Sequence, residues 1–202
     1  GAAAIPIGSP AGVWIIVQQI LIGVAMGFSM RMLFTAVQAA GEYIGLQMGL
    51  SFASFFDPSS GGSTVVVSRL LYMLAILIFL SVDGHLLLIA ALAHSFDVVP
   101  IAPAPLSGGG WLVLVRSAGA IFVSGLMLAL PLVTALLILN IAMAILNRAS
   151  PQFSVFAVGF PLTLLAGIAM LYLLIPHLGS FLDPRIAGAL ASVEQVIRAL
   201  RP

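Results

Sequence analysis

Long apolar runs, separated by short clusters of proline, glycine and acidic residues, set the pattern of this chain. Residues 11–30 carry no charged side chain, just enough for one helical crossing of a hydrocarbon core about 30 Å thick. Apolar character continues through Phe56, broken only by Arg31 and Glu42, so this stretch is one bent helix or two consecutive ones. Residues 57–64, DPSSGGST, form a strong breaker, because proline disfavours helix at the residue before it and paired glycines favour turns. A loop is expected there. Residues 65–82 make the next apolar run, and Asp83-Gly84 is expected to bend the chain before residues 85–99, allowing the two runs to form a hairpin.

Residues 100–110 hold three prolines and three consecutive glycines and read as a non-helical linker dividing the chain. Residues 111–146 suffice for two short spans or one long tilted helix, with Pro131 as the expected kink. A break is predicted over residues 147–152. Residues 155–178 form another apolar run, interrupted by Pro161 and closed by Pro176. After Asp183-Pro184 the pattern changes: Ile186, Leu190, Val193, Ile197 and Leu200 recur at helical spacing, while Glu194, Gln195, Arg198 and Arg201 lie elsewhere on the wheel. An amphipathic surface helix is predicted over residues 181–202, and its arginines give this end a weak cytoplasmic bias.

Composition turns this pattern into a fold class. Of the 202 residues, 62% are hydrophobic and 6% charged, against about a quarter charged in soluble domains. The prediction is an all-α integral membrane protein, a single membrane domain over residues 1–202 with several hydrophobic helices in the lipid bilayer and a C-terminal amphipathic helix. The net charge is +1, and every positive residue is a scattered arginine. Nucleic acid is therefore not an expected partner, since it requires a basic patch to displace counterions. The lack of cysteine excludes disulfides and thiol chemistry. The chain opens on Gly1 without the basic start of a signal peptide, and further sequence is expected to precede it.

Few residues are candidates for chemistry. Arg31, Thr35, Gln38 and Glu42 fall on one face of an otherwise apolar helix. A charge at mid-bilayer costs about 3 kcal/mol on insertion scales, so this stripe is expected to face a protein partner or a water-filled lumen, the alternative being side chains that snorkel to an interface. Gly41, Gly45 and Gly49, like Gly23 and Gly27, are spaced four apart, which lets another helix backbone approach. Whether that neighbour is the same chain or another subunit stays open. The resemblance of Gly49-Leu50-Ser51-Phe52-Ala53 to a nucleophile elbow is weak, since the final small residue is alanine and no strand is predicted before Ser51. His85, beside a turn, reads as a satisfied interfacial group, and no metal-ligand spacing exists. No catalysis, metal or cofactor is predicted. Met48, Phe52, Phe55 and Phe56 lead into the breaker loop and are read as either a hydrophobic plug or ordinary helix packing. Asn140 and Asn147, at i and i+7, share a helix face and can bridge to another helix, and Arg148 can reach exposed carbonyls where Pro151 ends the helix.

Residues 41–53, GEYIGLQMGLSFA, followed by Asp57-Pro58, resemble the central motif of the FliR family of flagellar export-gate proteins. Residues 84–89 with Ser95-Phe96, then Asn140, residues 147–152 (NRASPQ) and residues 156–162 (FAVGFPL), are similar to its later signatures. Ser150 stands where the family often has alanine. The resemblance implies steep, tilted helical hairpins and a subunit of the flagellar type III protein export gate at the base of the flagellum, in the bacterial inner membrane. The implied partners are FliP and FliQ homologues, with FlhB and FlhA homologues beside them, and the implied cargo is unfolded flagellar protein. It further implies that the segment holding Met48, Gly49, Phe52, Phe55, Phe56, Asp57, Pro58, Gly61 and Gly62 plugs the closed pore. Arg31, Gln38, Gly41, Glu42, Gly45, Asn140, Asn147, Arg148 and Gln152 are expected to serve subunit packing or to form a polar face. A virulence-type injectisome homologue and a proton-coupled small-molecule transporter are the alternatives, the latter suggested by Arg31, Glu42, Asp83 and the broken helices.

Overall fold

The structure is a computed structural model that describes residues 8–52, 65–99, 101–102, 107–149 and 158–201. Among them there are five α-helices, one 3-10 turn and no strand: α1 (Pro10–Gln47), the turn (Leu50–Phe52), α2 (Val65–Ser81), α3 (Gly84–Val98), α4 (Gly109–Ala149) and α5 (Phe160–Leu200). The fold is all-α, and α1, α4 and α5 are long and apolar enough to cross a membrane; α2 and α3 together make a possible fourth, broken span. At 38, 41 and 41 residues, the three long helices extend about 57–62 Å, roughly twice the hydrocarbon thickness.

Helix α1 starts where Ser9 caps it: the Gly12 N–H donates to Ser9 Oγ at 3.1 Å and the Val13 N–H to the Ser9 carbonyl at 3.0 Å, as a serine N-cap does. It then runs unbroken past Arg31 and Glu42, deciding between the two sequence readings in favour of one helix. The break between α2 and α3 comes at Asp83, in the left-handed region at φ 56°. Aspartate tolerates that conformation better than most residues. A Cβ on the buried Gly84 would run into the Phe79 ring, so only glycine fits after the turn. The pair is bent by 67°.

One open alternative is decided and two expectations are corrected. Residues 111–146 form one helix with Pro131 inside it, and Thr134 Oγ1 donates to the Leu130 and Pro131 carbonyls at 2.7 and 3.1 Å. Gly109 and Gly110, assigned to the linker, already belong to α4. Gly110 is buried where a Cβ would strike the Leu200 side chain. Neither Pro176 nor Asp183-Pro184 ends α5. A proline removes one helical hydrogen bond, but in lipid no water waits to take the freed carbonyls, so an apolar helix is better continued than opened. The amphipathic tail is thus the last part of α5.

The helices contribute to two compact units. One gathers the described residues of Gly1–Leu33, Phe79–Ile121 and Pro184–Pro202. Its core takes Ile22, Met26 and Met30 from α1, and Ile186, Val193, Val196, Ile197 and Leu200 from α5. The apolar face of the tail is therefore buried in protein. Glu194 and Arg198 face outward in a 3.6 Å pair of little energetic weight. His85 Nδ1 is buried without a hydrogen-bond partner, unlike the satisfied interfacial group expected.

The second unit comprises the described residues of Phe34–Ile78 and Phe122–Asp183. Here α1 packs against three helices. Ala36, Val37, Ala40 and Ile44 of α1 and Met48 just after it are buried, with Leu71 and Ala75 of α2 and Leu128, Ala129, Leu132 and Leu136 of α4. Phe34 and Tyr72 meet edge to face at 6.0 Å. Three glycines permit the contacts. A Cβ on Gly41 would stand 2.8 Å from the Ser68 nitrogen of α2, one on Gly125 of α4 would stand 2.7 Å from Ala36 Cβ, and one on Gly167 of α5 would stand 2.8 Å from Met48 Sδ. Membrane helices associate chiefly by such close packing.

Gly125→Ala forces the Ala36 backbone to move and should destabilise the protein by about 1–3 kcal/mol, the usual cost of overpacking. Gly119→Ala has open space around it and gains helix propensity worth up to about 1 kcal/mol. Thermal unfolding of the detergent-solubilised variants should place Gly125→Ala well below Gly119→Ala; equal midpoints would refute the close contact.

Candidate functional site

The most specific polar arrangement among the described residues lies at the end of α1 in the second unit. An α-helix leaves its last carbonyls without intrahelical donors. At this end the Met48 N–H still donates to the Ile44 carbonyl at 2.9 Å, and the Gly49 N–H to the Leu46 carbonyl at 3.1 Å. Gly49 is left-handed at φ 79°, a conformation that suits glycine. Side chains from far along the chain reach the carbonyls of Gln47 and Met48. Asn140 Nδ2 of α4 donates to the Gln47 carbonyl at 3.2 Å and to Gln47 Oε1 at 3.3 Å. Thr163 Oγ1 of α5 lies 3.3 Å from the Met48 carbonyl and 3.0 Å from the Phe160 carbonyl, sharing its one hydrogen between them. The Met48 side chain is buried against Gly167.

A cleft of about 290 Å³ opens beside this junction, lined by Gln47, Gly49, Asn140, Met143, Asn147 and Thr163 among others. Asn140 and Asn147 share its wall, as their spacing predicts. Asn147 differs in one respect: its Oδ1 is buried with no hydrogen-bond partner. Such an acceptor costs about 1–3 kcal/mol unless a donor reaches it.

The other sequence-predicted residues divide by face. Gly41 and Gly45 are buried, and Gly41 meets α2 of the same chain, which answers which neighbour its spacing serves. A Cβ on Gly23 or Gly27 would meet nothing beyond its own helix within 4 Å among the described residues. Arg31, Thr35, Gln38 and Glu42 are exposed, turned away from the buried Ala36, Val37, Ala40 and Ile44; Arg31 belongs to the first unit and the rest to the second. Arg148 is exposed in the last turn of α4, where a cation is favourable to the helix dipole. Ser51 is half-buried in the 3-10 turn. The side chain of Phe52, and all of Phe55, Phe56, Asp57, Pro58, Gly61, Gly62 and Gln152, lie outside the described residues. No group of three or more potential metal ligands occurs among the described residues.

Sequence reasoning missed Gln47, Gly125, Thr163 and Gly167. A signal was present for two of them: Gly159, Thr163 and Gly167 are spaced four apart and all buried, the same small-residue ladder that drew attention to Gly41 and Gly45.

The profile of the family described as bacterial export proteins, family 1, matches residues 2–188. The chain belongs to that family. It is 54% identical over 178 residues to the flagellar biosynthetic protein FliR of Pectobacterium carotovorum subsp. carotovorum, covering 88% of this chain and 68% of that protein. To the protein of the same name from Escherichia coli strain K12 it is 50% identical over 179 residues, covering 89% and 69%. To that of Bacillus subtilis strain 168 it is 32% identical over 157 residues, covering 76% and 61%. The chain thus spans about two thirds of the length of these relatives. In this bacterial export protein, residues 41–49 of the FliR-like motif, the end of α1 and the turn after it, meet α2, α4 and α5.

Asn147→Leu removes the buried acceptor. If a neighbouring chain supplies its donor in the assembled protein, the yield of purified complex should fall severalfold. A yield and melting temperature at or above wild type would show that no donor arrives.

Proposed function

We propose that this chain is a subunit of the flagellar type III protein export gate, in the bacterial inner membrane at the base of the flagellum. It assembles there with FliP and FliQ homologues, next to FlhB and FlhA homologues, into a pore for unfolded flagellar proteins. The observation that carries this reading is the 50–54% identity to proteins named flagellar biosynthetic protein FliR over almost nine tenths of the chain. The flagellar names of these relatives favour it over an injectisome homologue. The subunit contributes helices and closure, without chemistry of its own.

The exposed face of α1 supports a hetero-oligomer. Gln38 and Glu42 stand outward on an apolar helix, and in a bilayer such groups turn to protein or to a water-filled passage. The open face at Gly23 and Gly27 has room for another helix. Closure is assigned to Met48, Gly49, Phe52, Phe55, Phe56, Asp57, Pro58, Gly61 and Gly62, since apolar side chains block ions by dewetting a constriction.

Co-expression with FliP and FliQ homologues should yield a stable complex, whereas the chain alone should be protease-sensitive. A well-behaved homo-oligomer that ignores both homologues would overturn the assignment. Replacing Phe52, Phe55 and Phe56 with alanine should leave an assembled complex that conducts ions across planar bilayers. Wild-type conductance in that intact complex would return these aromatics to ordinary packing.

A further inference from the structure

We infer that the groove between α3 and α5 in the first unit is a phospholipid site, with an acyl chain along its apolar walls and an ethanolamine headgroup on its charged rim. Leu87, Ala90, Ala91 and His94 fall at i, i+3, i+4 and i+7 and so share one face of α3. Helix α5 repeats the spacing from Ala187 to Glu194, and the two faces enclose a groove of about 470 Å³. The groove is open because alanines stand on both walls, Ala90 and Ala91 on α3, Ala187 and Ala191 on α5. Residues 86–93 and 186–193 carry no charged side chain, so for about two turns, some 10 Å, the walls are apolar. Left empty, such a hollow forfeits the dispersion contacts of its lining. The rim selects a lipid over a helix from another chain. His94 lies a turn before the end of α3, and Glu194 less than two turns before the end of α5. Each wall carries an ion pair there: His94 Nδ1 is 3.7 Å from Asp97 Oδ2, and Arg198 Nη2 is 3.6 Å from Glu194 Oε2. A helix laid in the groove would cover both pairs and strip them of water, which is costly; a lipid leaves them at the water's edge. Both pairs are exposed and of little energetic weight, so their members can turn to a ligand. A carboxylate beside a guanidinium matches a zwitterionic headgroup, in which an ammonium stands beside a phosphate. Arg198 presents its fork of N–H donors to the phosphate, and the His94 ring has a donor in either protonation state. Glu194 and Asp97 accept from the ammonium. The two carboxylates disfavour a headgroup that is only anionic, and choline, whose nitrogen bears no hydrogen, cannot donate to them. The site requires only that α3 and α5 lie in a membrane, and so stands apart from the export role.

The test uses the full chain, in the assembly with which it purifies from bacterial membranes, reconstituted in phosphatidylcholine nanodiscs. One of two probes is added in equal amount: phosphatidylethanolamine or phosphatidylglycerol, each with a diazirine in the first half of one acyl chain. After illumination, mass spectrometry should map phosphatidylethanolamine adducts to residues 87–94 and 187–194. They should exceed those of phosphatidylglycerol roughly tenfold, the factor of one charge-assisted hydrogen bond. Glu194→Gln with Asp97→Asn should bring the two probes level. Ala187→Leu with Ala191→Leu fills the groove and should remove the adducts of both probes while the yield of the assembly stays unchanged; both alanines are exposed, so the fold of the chain accepts the added bulk. Equal labelling by the two probes in the unaltered protein would reduce the groove to ordinary bilayer contact and overturn the site. Labelling that survives the leucine substitutions would overturn it too, since the lipid would then lie elsewhere. Absence of adducts on both helices, or loss of the assembly in the leucine variant, would show that protein rather than lipid fills the groove, with the same consequence.

Discussion

Apolar helices in lipid have no hydrophobic reason to seek one another, because lipid tails are as apolar as their side chains. What holds the second unit of this protein together is the distance of closest approach between helix backbones. Gly41 admits Ser68, Gly125 admits Ala36, and Gly167 admits Met48, so α2, α4 and α5 each come close to α1 at a different height. Dispersion grows steeply at such distances and is lost by a gap of a fraction of an ångström. Polar contacts follow from that proximity. Asn140 and Thr163 reach the α1 carbonyls because α4 and α5 already lie against its end.

The same packing decides what is left outside. With Ala36, Val37, Ala40 and Ile44 committed inward, helical geometry turns Gln38 and Glu42 outward. A stripe that looks costly in a single chain is, in the proposed function, a face offered to an assembly. The tail of α5 shows the opposite allocation: its apolar face is used within the chain, and its charged face carries Glu194 and Arg198.

Much of this was legible in the sequence, for identifiable reasons. The helical class followed from charge-free runs, the bend at Asp83-Gly84 from turn chemistry, and the shared face of Asn140 and Asn147 from a seven-residue spacing. The family was legible in residues 41–53. Prolines misled, because rules drawn from water-exposed helices overstate their power to end a helix in an apolar setting: Pro176 and Pro184 sit inside α5. Thr163 was overlooked because a lone hydroxyl in an apolar run is ordinary, and its role depends on Met48, 115 residues away. Pairing over such a separation is set by tertiary packing, which periodicity within one helix cannot report.

The central claim is that α1 gives one face to its own chain and the opposite, polar face to other chains of an export assembly. Site-specific photo-cross-linking in flagellated cells tests it most directly, with the probe placed in turn at Gln38, at Glu42 and at the fully buried Ala40, and the adducts identified by mass spectrometry. Gln38 and Glu42 should yield adducts with other export subunits or with a substrate in transit, and Ala40 only contacts within the chain. Adducts at Ala40 with other export proteins, or none with any protein at Gln38 and Glu42, would contradict the account.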